Sequence, residues 1–152
     1  MRRASICLVS SGGGHLTELF ALRPAYMHRA HFFVVNQPID LPKEMEGKTY
    51  FIRHSDRDWL LFVNLWEAWR ILRRERPAVI LSTGAGPAVP FALMGKLLGI
   101  QNVFVECSTQ IAHPSLTGRI MYHLADRFYY QWESLKHYYP KGTYGGVLLW
   151  SS

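Results

Sequence analysis

The stretch VSSGGGHLTE, Val9–Glu18, sets three successive glycines between an apolar run and a helix-like segment. Glycine is used where backbone must come close to another group, because it lacks Cβ and tolerates positive φ. A strand-to-helix loop of this composition turns unpaired amide N–H groups and the positive end of a helix dipole outward, an arrangement suited to an anion. Ser11, Gly12, Gly13 and Gly14 are the candidate anion-binding residues here, and the plainer alternative is a tight turn with His15 as a polar cap. The loop is not GxGxxG, since Thr17 stands where the third glycine belongs, and it is not a Walker loop, since no Lys-Ser/Thr follows.

A second turn of the same kind follows a later apolar run. In Ser82–Pro87, STGAGP, Thr83, Gly84 and Gly86 precede a proline suited to the first turn of a helix. Two such turns at neighbouring strand ends could line one groove for a diphosphate or a sugar; close helix-on-sheet packing explains them equally well. Glu106 ends the run NVFVE and is followed by Cys107, Ser108 and Thr109. A carboxylate there is a hydroxyl acceptor, a general base or a helix cap.

Asp58–Arg76, DWLLFVNLWEAWRILRRER, carries a different chemistry. On a helical wheel Trp59, Phe62, Leu65, Trp66, Trp69 and Leu72 share one broad arc, while Leu60, Val63 and Ile71 fall outside it. One face can pack on a sheet. The remaining tryptophans, with Arg70, Arg73, Arg74 and Arg76, have the make-up of a helix that dips aromatics into a lipid surface while arginines meet anionic headgroups. A buried helix with a solvated basic end is the alternative, and the charges exclude a span. Tyr129, Tyr130, Trp132, Tyr138 and Tyr139 are not interleaved with basic residues, so core packing or a protein interface, and not nucleic acid, is expected of them.

These residues need elements to hold them. Strand-like runs are predicted at Ser5–Val9, His31–Asn36, Thr49–Ile52, Ala78–Ser82, Asn102–Glu106 and Arg127–Gln131, and helices near Leu16–Leu22, Asp58–Arg76, Ala88–Leu98 and Thr117–Leu124. Pro38, Pro42, Pro77 and Gly99 punctuate them. The alternation predicts an α/β fold, a Rossmann-like doubly wound parallel sheet, as one domain over residues 1–152. In such sheets ligands bind outside the carboxyl ends of the strands, where the unusual loops fall.

Composition sets the outer bounds. The chain has 152 residues, 49% hydrophobic and 18% charged, which excludes wholesale disorder. A net charge of +6 points to an anionic partner: nucleic acid, a phosphate-bearing molecule or a membrane surface. Cys7 and Cys107 lie in apolar runs without CxxC spacing and read as reduced core thiols of a cytosolic protein. The histidines lack metal-ligand spacing, so no metal is expected. No signal peptide and no membrane span is expected.

The motifs SSGGGHLTEL, STGAGPAVPFALMGKLLGI and VFVECSTQIAHPSLTGRIMYHLADRFYYQWESLKHYYPKGTYGGVL together resemble one family across most of the chain. It is that of the membrane-recruiting, acceptor-side subunits of two-piece GT-B glycosyltransferases, namely the dolichol-pathway N-acetylglucosaminyltransferase subunit and bacterial PssD-like polysaccharide biosynthesis proteins. The resemblance implies the N-terminal half of a GT-B enzyme, similar to that of the enzyme that makes lipid II. A small partner subunit would supply the C-terminal half and most of the UDP-sugar site.

Under that resemblance Gly12, Gly13, Gly14 and His15 match the loop near the acceptor diphosphate, Thr83, Gly84 and Gly86 match the second turn, and Glu106 matches the acid after V-x-V. The matching leaves open whether His15 or Glu106 is the base. It implies sugar transfer from UDP-sugar to a lipid-diphosphate acceptor without a metal, at the cytoplasmic face of a membrane, by a heteromer active only with its partner. The eukaryotic members usually carry an N-terminal span; here attachment is expected to fall to Asp58–Arg76, with Trp59, Phe62, Trp66, Trp69, Arg70, Arg73 and Arg74 as its contacts. The given sequence ends in YGGVLLWSS, and no second Rossmann-like domain is expected within it. Two rivals from other classes are a non-catalytic scaffold that recruits the catalytic partner and a stand-alone nucleotide-binding module.

Overall fold

The β-branched and aromatic runs form seven parallel strands in the computed structural model, which describes residues 4–36, 42–45, 47–54 and 59–148. The strands are β1 (Ile6–Ser11), β2 (His31–Asn36), β3 (Thr49–Ile52), β4 (Val79–Gly84), β5 (Gln101–Val105), β6 (Arg127–Tyr130) and β7 (Thr143–Tyr144). Among the described residues five α-helices accompany them: α1 (Gly14–Ala21), α2 (Arg23–Tyr26), α3 (Leu60–Glu75), α4 (Ala88–Leu97) and α5 (Leu116–Leu124). The sheet order is β3-β2-β1-β4-β5-β6-β7, so the winding reverses between β1 and β4, and the doubly wound sheet expected from sequence is present.

Strand residues alternate between two covered faces, as a parallel sheet requires. Cys7, Val9, Phe32, Val34 and Ile80 pack beneath Ala68, Ile71 and Leu72 of α3 and Phe91 of α4. Leu8, Phe33 and Val35 pack beneath Leu16 and Leu19 of α1 and Tyr26 of α2. Farther along, Phe104, Phe128 and Tyr130 join Met121 of α5 and Tyr139, which gives most of the late aromatics the core role expected of them. Beside α1 and α2 the second face carries a shallow apolar groove of about 440 Å³ against Leu81, Val103, Val105, Tyr129 and Leu148.

Several details differ from the sequence reading. β1 and β4 each run two residues farther, to Ser11 and Gly84, so the polar residues of both loops begin inside strands. The helix α2 and strand β7 were not expected, since a four-residue helix and a two-residue exposed edge strand carry no periodic signal. Asp58 and Pro38 lie outside the described residues. At its other end α3 stops where Arg76 takes a left-handed φ of 49° just before Pro77.

Of the broad apolar arc expected on this helix only Leu72 is buried, Leu65 is half-buried, and the rest faces away from the sheet. Asn64, Ala68, Ile71 and Leu72 are buried against the sheet, whereas Trp59, Phe62, Trp66 and Trp69 are exposed at 68%, 74%, 55% and 42%. The sheet-facing side uses small and branched residues that allow close approach, and the tryptophans face outward. Arg70 lies over the Trp66 ring and Arg73 over the Trp69 ring, each 5.3 Å from the centroid. No helix among the described residues is long and apolar enough to cross a membrane.

Candidate functional site

Both glycine turns sit at the carboxyl ends of β1 and β4, on either side of the reversal point. Gly13 adopts φ 77° and ψ −138°, a region that side chains strongly disfavour, and this bend starts α1 directly. No side chain caps α1, and the Leu16 and Thr17 N–H groups turn back to the Gly13 carbonyl, each at 3.1 Å. Cβ atoms built on Gly13, Gly14 or Gly86 would meet nothing within 4 Å. Packing within the chain therefore does not explain these three glycines, and the space above them is open to a ligand.

Gly84 is different. Its φ is +107°, and a Cβ there would lie 3.1 Å from Nδ1 of His15. The pairing of β1 with β4 slips beside it: Val9 aligns with Ser82 but Ser10 aligns with Gly84, leaving Thr83 as an extra residue. That bulge aims Thr83 at the loop. Its hydroxyl donates to the carbonyl of His15 at 2.7 Å, and its carbonyl accepts from Nδ1 of His15 at 3.0 Å. Since a carbonyl only accepts, a proton sits on Nδ1, and in the neutral ring the lone pair is on Nε2.

The Nε2 side of the His15 ring meets Cys107. A hydrogen bond with the Cys107 thiol raises the pKa of half-buried His15 above its ordinary value, against the effect of burial. Burial raises the thiol of Cys107, but hydrogen bonds with His15 and Thr109 outweigh it and bring that thiol below its usual range. Cys107 is thus not the core thiol expected from sequence: Cys7 is fully buried, whereas Cys107 is partly exposed just past β5. Loop residues around the site are tied in turn, with the Gly12 N–H donating to Asn36 and the Ala85 N–H to the hydroxyl of Ser11.

Glu106 lies deeper, 1% exposed, and both its oxygens are occupied. Oε1 accepts from the Cys107 amide and the Ser115 hydroxyl, and Oε2 from the Ser115 amide and, at 2.5 Å, the Tyr139 hydroxyl. Ser115 also caps α5, accepting from the Gly118 N–H at 2.7 Å. Burial and the Glu106 carboxylate together push the Tyr139 hydroxyl far above its normal pKa. Of the three roles open to Glu106 in the sequence, this geometry matches the capping one, and no lone pair is free to receive a substrate proton.

Two residues of the cluster escaped the sequence reading. Glu18, on the first turns of α1, is 1% exposed; its Oε1 accepts from the Ser108 amide at 2.7 Å and from Gln131 at 3.5 Å. Gln131 also donates to the Glu106 carbonyl and accepts from the Leu148 amide, bridging the ends of β5 and β6. The signal for Glu18 was its place three residues after His15, on the same helical face.

The comparisons with known proteins agree with this architecture. Residues 59–148 match the family model described as oligosaccharide biosynthesis protein Alg14 like, over more than half of the chain. The chain is 29% identical to the UDP-N-acetylglucosamine transferase subunit ALG14 of Homo sapiens, covering 95% of this chain and 83% of that protein. It is 39% identical to the subunit of the same name from Candida albicans, over 75% of this chain and 53% of that one. Among solved structures, Acinetobacter baumannii MurG superposes with a TM-score of 0.76 at 16% identity, covering 95% of this chain and 44% of MurG, which places the fold in the N-terminal half of the GT-B architecture. By the extent of these matches the chain belongs to the Alg14-like family of oligosaccharide biosynthesis proteins.

Proposed function

We propose that the chain is the acceptor-side subunit of a two-component glycosyltransferase that moves a sugar from a UDP-sugar to a lipid-diphosphate-linked acceptor. The observation that carries this reading is the pair of glycine turns flanking the reversal point, with open space over Gly13, Gly14 and Gly86 and a start of α1 that no side chain caps. The names of the relatives, subunits of a UDP-N-acetylglucosamine transferase, point to N-acetylglucosamine as the sugar. The acceptor diphosphate lies over Ser11–Gly14 and Thr83–Gly86. A small GT-B-like partner binds the donor, and the departing UDP is stabilised by amides and by cationic groups of that partner, without a metal.

His15 is the base in this scheme. Thr83 fixes its tautomer so that Nε2 carries the lone pair, and once the acceptor hydroxyl displaces the Cys107 thiol from Nε2, that nitrogen takes the hydroxyl's proton as the oxygen attacks the anomeric carbon. Glu106 holds α5 and the loop after β5. The outward tryptophans and arginines of α3 keep the subunit at the cytoplasmic face of the membrane, as a peripheral protein.

The test is co-expression with the small GT-B-like partner, size-exclusion chromatography, and transfer of radiolabelled sugar to membrane lipid. A complex active only with both chains is expected, with transfer falling by ~100-fold or more in His15→Ala. Undiminished transfer by that variant overturns the assignment of the base, and transfer by the partner alone overturns the two-component reading. A second reading, the non-catalytic recruiting scaffold, draws on the fully occupied Glu106 carboxylate and the exposed face of α3. It expects the partner, tethered to the membrane by other means, to transfer sugar without this chain.

A further inference from the structure

Two distant stretches of the sequence meet at one point beside the glycine loop. A ring nitrogen of His15, a carboxylate oxygen of Glu18 and Sγ of Cys107 all lie within 4.8 Å of one another. We infer that these three side chains form a binding site for a zinc-class divalent cation. Imidazole, thiolate and carboxylate are the ligand types that borderline-soft ions take, and three protein ligands with a fourth position left open make a familiar zinc arrangement.

Each ligand is already held from behind. Thr83 accepts the Nδ1 proton of His15, which presents Nε2 as the donor atom. The Ser108 amide and Gln131 hold Oε1 of Glu18, and the Thr109 hydroxyl lies 3.0 Å from Sγ of Cys107. The remaining oxygen of Glu18, Oε2, is buried with no hydrogen-bond partner. A buried, orphaned carboxylate oxygen costs ~1–3 kcal/mol or more and calls for a counter-charge or a donor. A cation supplies the counter-charge, and ligand atoms about 3.5 Å apart around a tetrahedral zinc need only a small contraction of the present cluster.

His15 and Glu18 come from successive turns of α1, while Cys107 arrives from the far end of β5. Sequential spacing could not show this site, and the expectation of no metal rested on that spacing. The ion takes the same Nε2 lone pair that proton removal needs, so the two uses of His15 exclude each other. The inference concerns binding by this chain, and the ion-bound and transferring forms are alternative states of one site.

The test titrates the full chain, its fold checked by circular dichroism, with cobalt(II) as a spectroscopic stand-in for zinc. One equivalent is expected to give visible bands of a four-coordinate site and a thiolate-to-cobalt charge-transfer band, both lost on adding zinc. Cys107→Ser should abolish the charge-transfer band. Glu18→Gln, close in shape, should weaken cobalt binding by at least ~10-fold. No thiolate band in excess cobalt, a band that survives Cys107→Ser, or unchanged affinity in Glu18→Gln overturns the site. None of these readouts depends on sugar transfer, so failure here leaves the transfer reading standing, and failure of transfer leaves the cation site standing.

Discussion

Glu106 shows that residue type and position leave a carboxylate's role open. It stands at a strand end next to candidate ligand loops, where a base would stand, yet four donors saturate its carboxylate. Gly118 is part of the same arrangement: a Cβ there would come within 1.8 Å of Oε2 of Glu106 and 2.6 Å of the Tyr139 hydroxyl. Glu106→Gln turns one acceptor into a donor facing other donors. Its expected effect is a loss of about 1–3 kcal/mol in chemical denaturation. Transfer by the assembled pair, measured well below the melting temperature, should fall far less than the ~100-fold that loss of a base entails. The reverse pattern, intact stability with transfer abolished, would return the base to Glu106.

At the scale of elements, α3 carries the sharpest separation of roles. Its sheet-facing side is Asn64, Ala68, Ile71 and Leu72, and its outward side stacks arginines on tryptophans. Flotation with anionic vesicles should recover the wild-type chain. Trp66→Ala with Trp69→Ala should weaken that binding by ~100-fold or more, since each indole withdrawn from the lipid boundary forfeits about 1.5–3 kcal/mol. Neutral vesicles should recover less of either protein, because the arginines then lose their headgroup partners. Equal recovery of wild type and double variant would assign the stripe to something other than lipid.

The same helix marks what sequence could and could not reveal. Periodicity located α3 to within two residues at its C-terminal end, because burial of one face leaves a 3.6-residue trace. It could not say which of two apolar arcs faces the sheet, since Trp66 and Ile71 are equally apolar as letters. The strands were legible for a related reason: a sheet covered on both faces demands unbroken apolar runs. The site was half legible. Glycine loops announce themselves by composition, whereas the meeting of His15, Glu18 and Cys107 depends on β5 lying beside β4, a fact of topology.

For the whole molecule, the strand order divides the chain into β1–β3 with α1 and α2, and β4–β7 with α4 and α5, joined edge to edge along β1 and β4. Within each half, neighbours in the sheet are neighbours in sequence. The β1–β4 seam alone spans the long connection through α3, and His15 with Thr83, and Glu18 with Ser108, are contacts across it. Loop closure over such separations is slow relative to local pairing. The time order of refolding follows: helix and strand signals appear first, and the His15 environment, followed by its ring proton resonances, reaches its native state only when the two halves zip together. Simultaneous recovery of both signals would mean that the halves never exist apart. A newly made chain thus passes through an interval in which it has most of its secondary structure and no site, and acquires the site last.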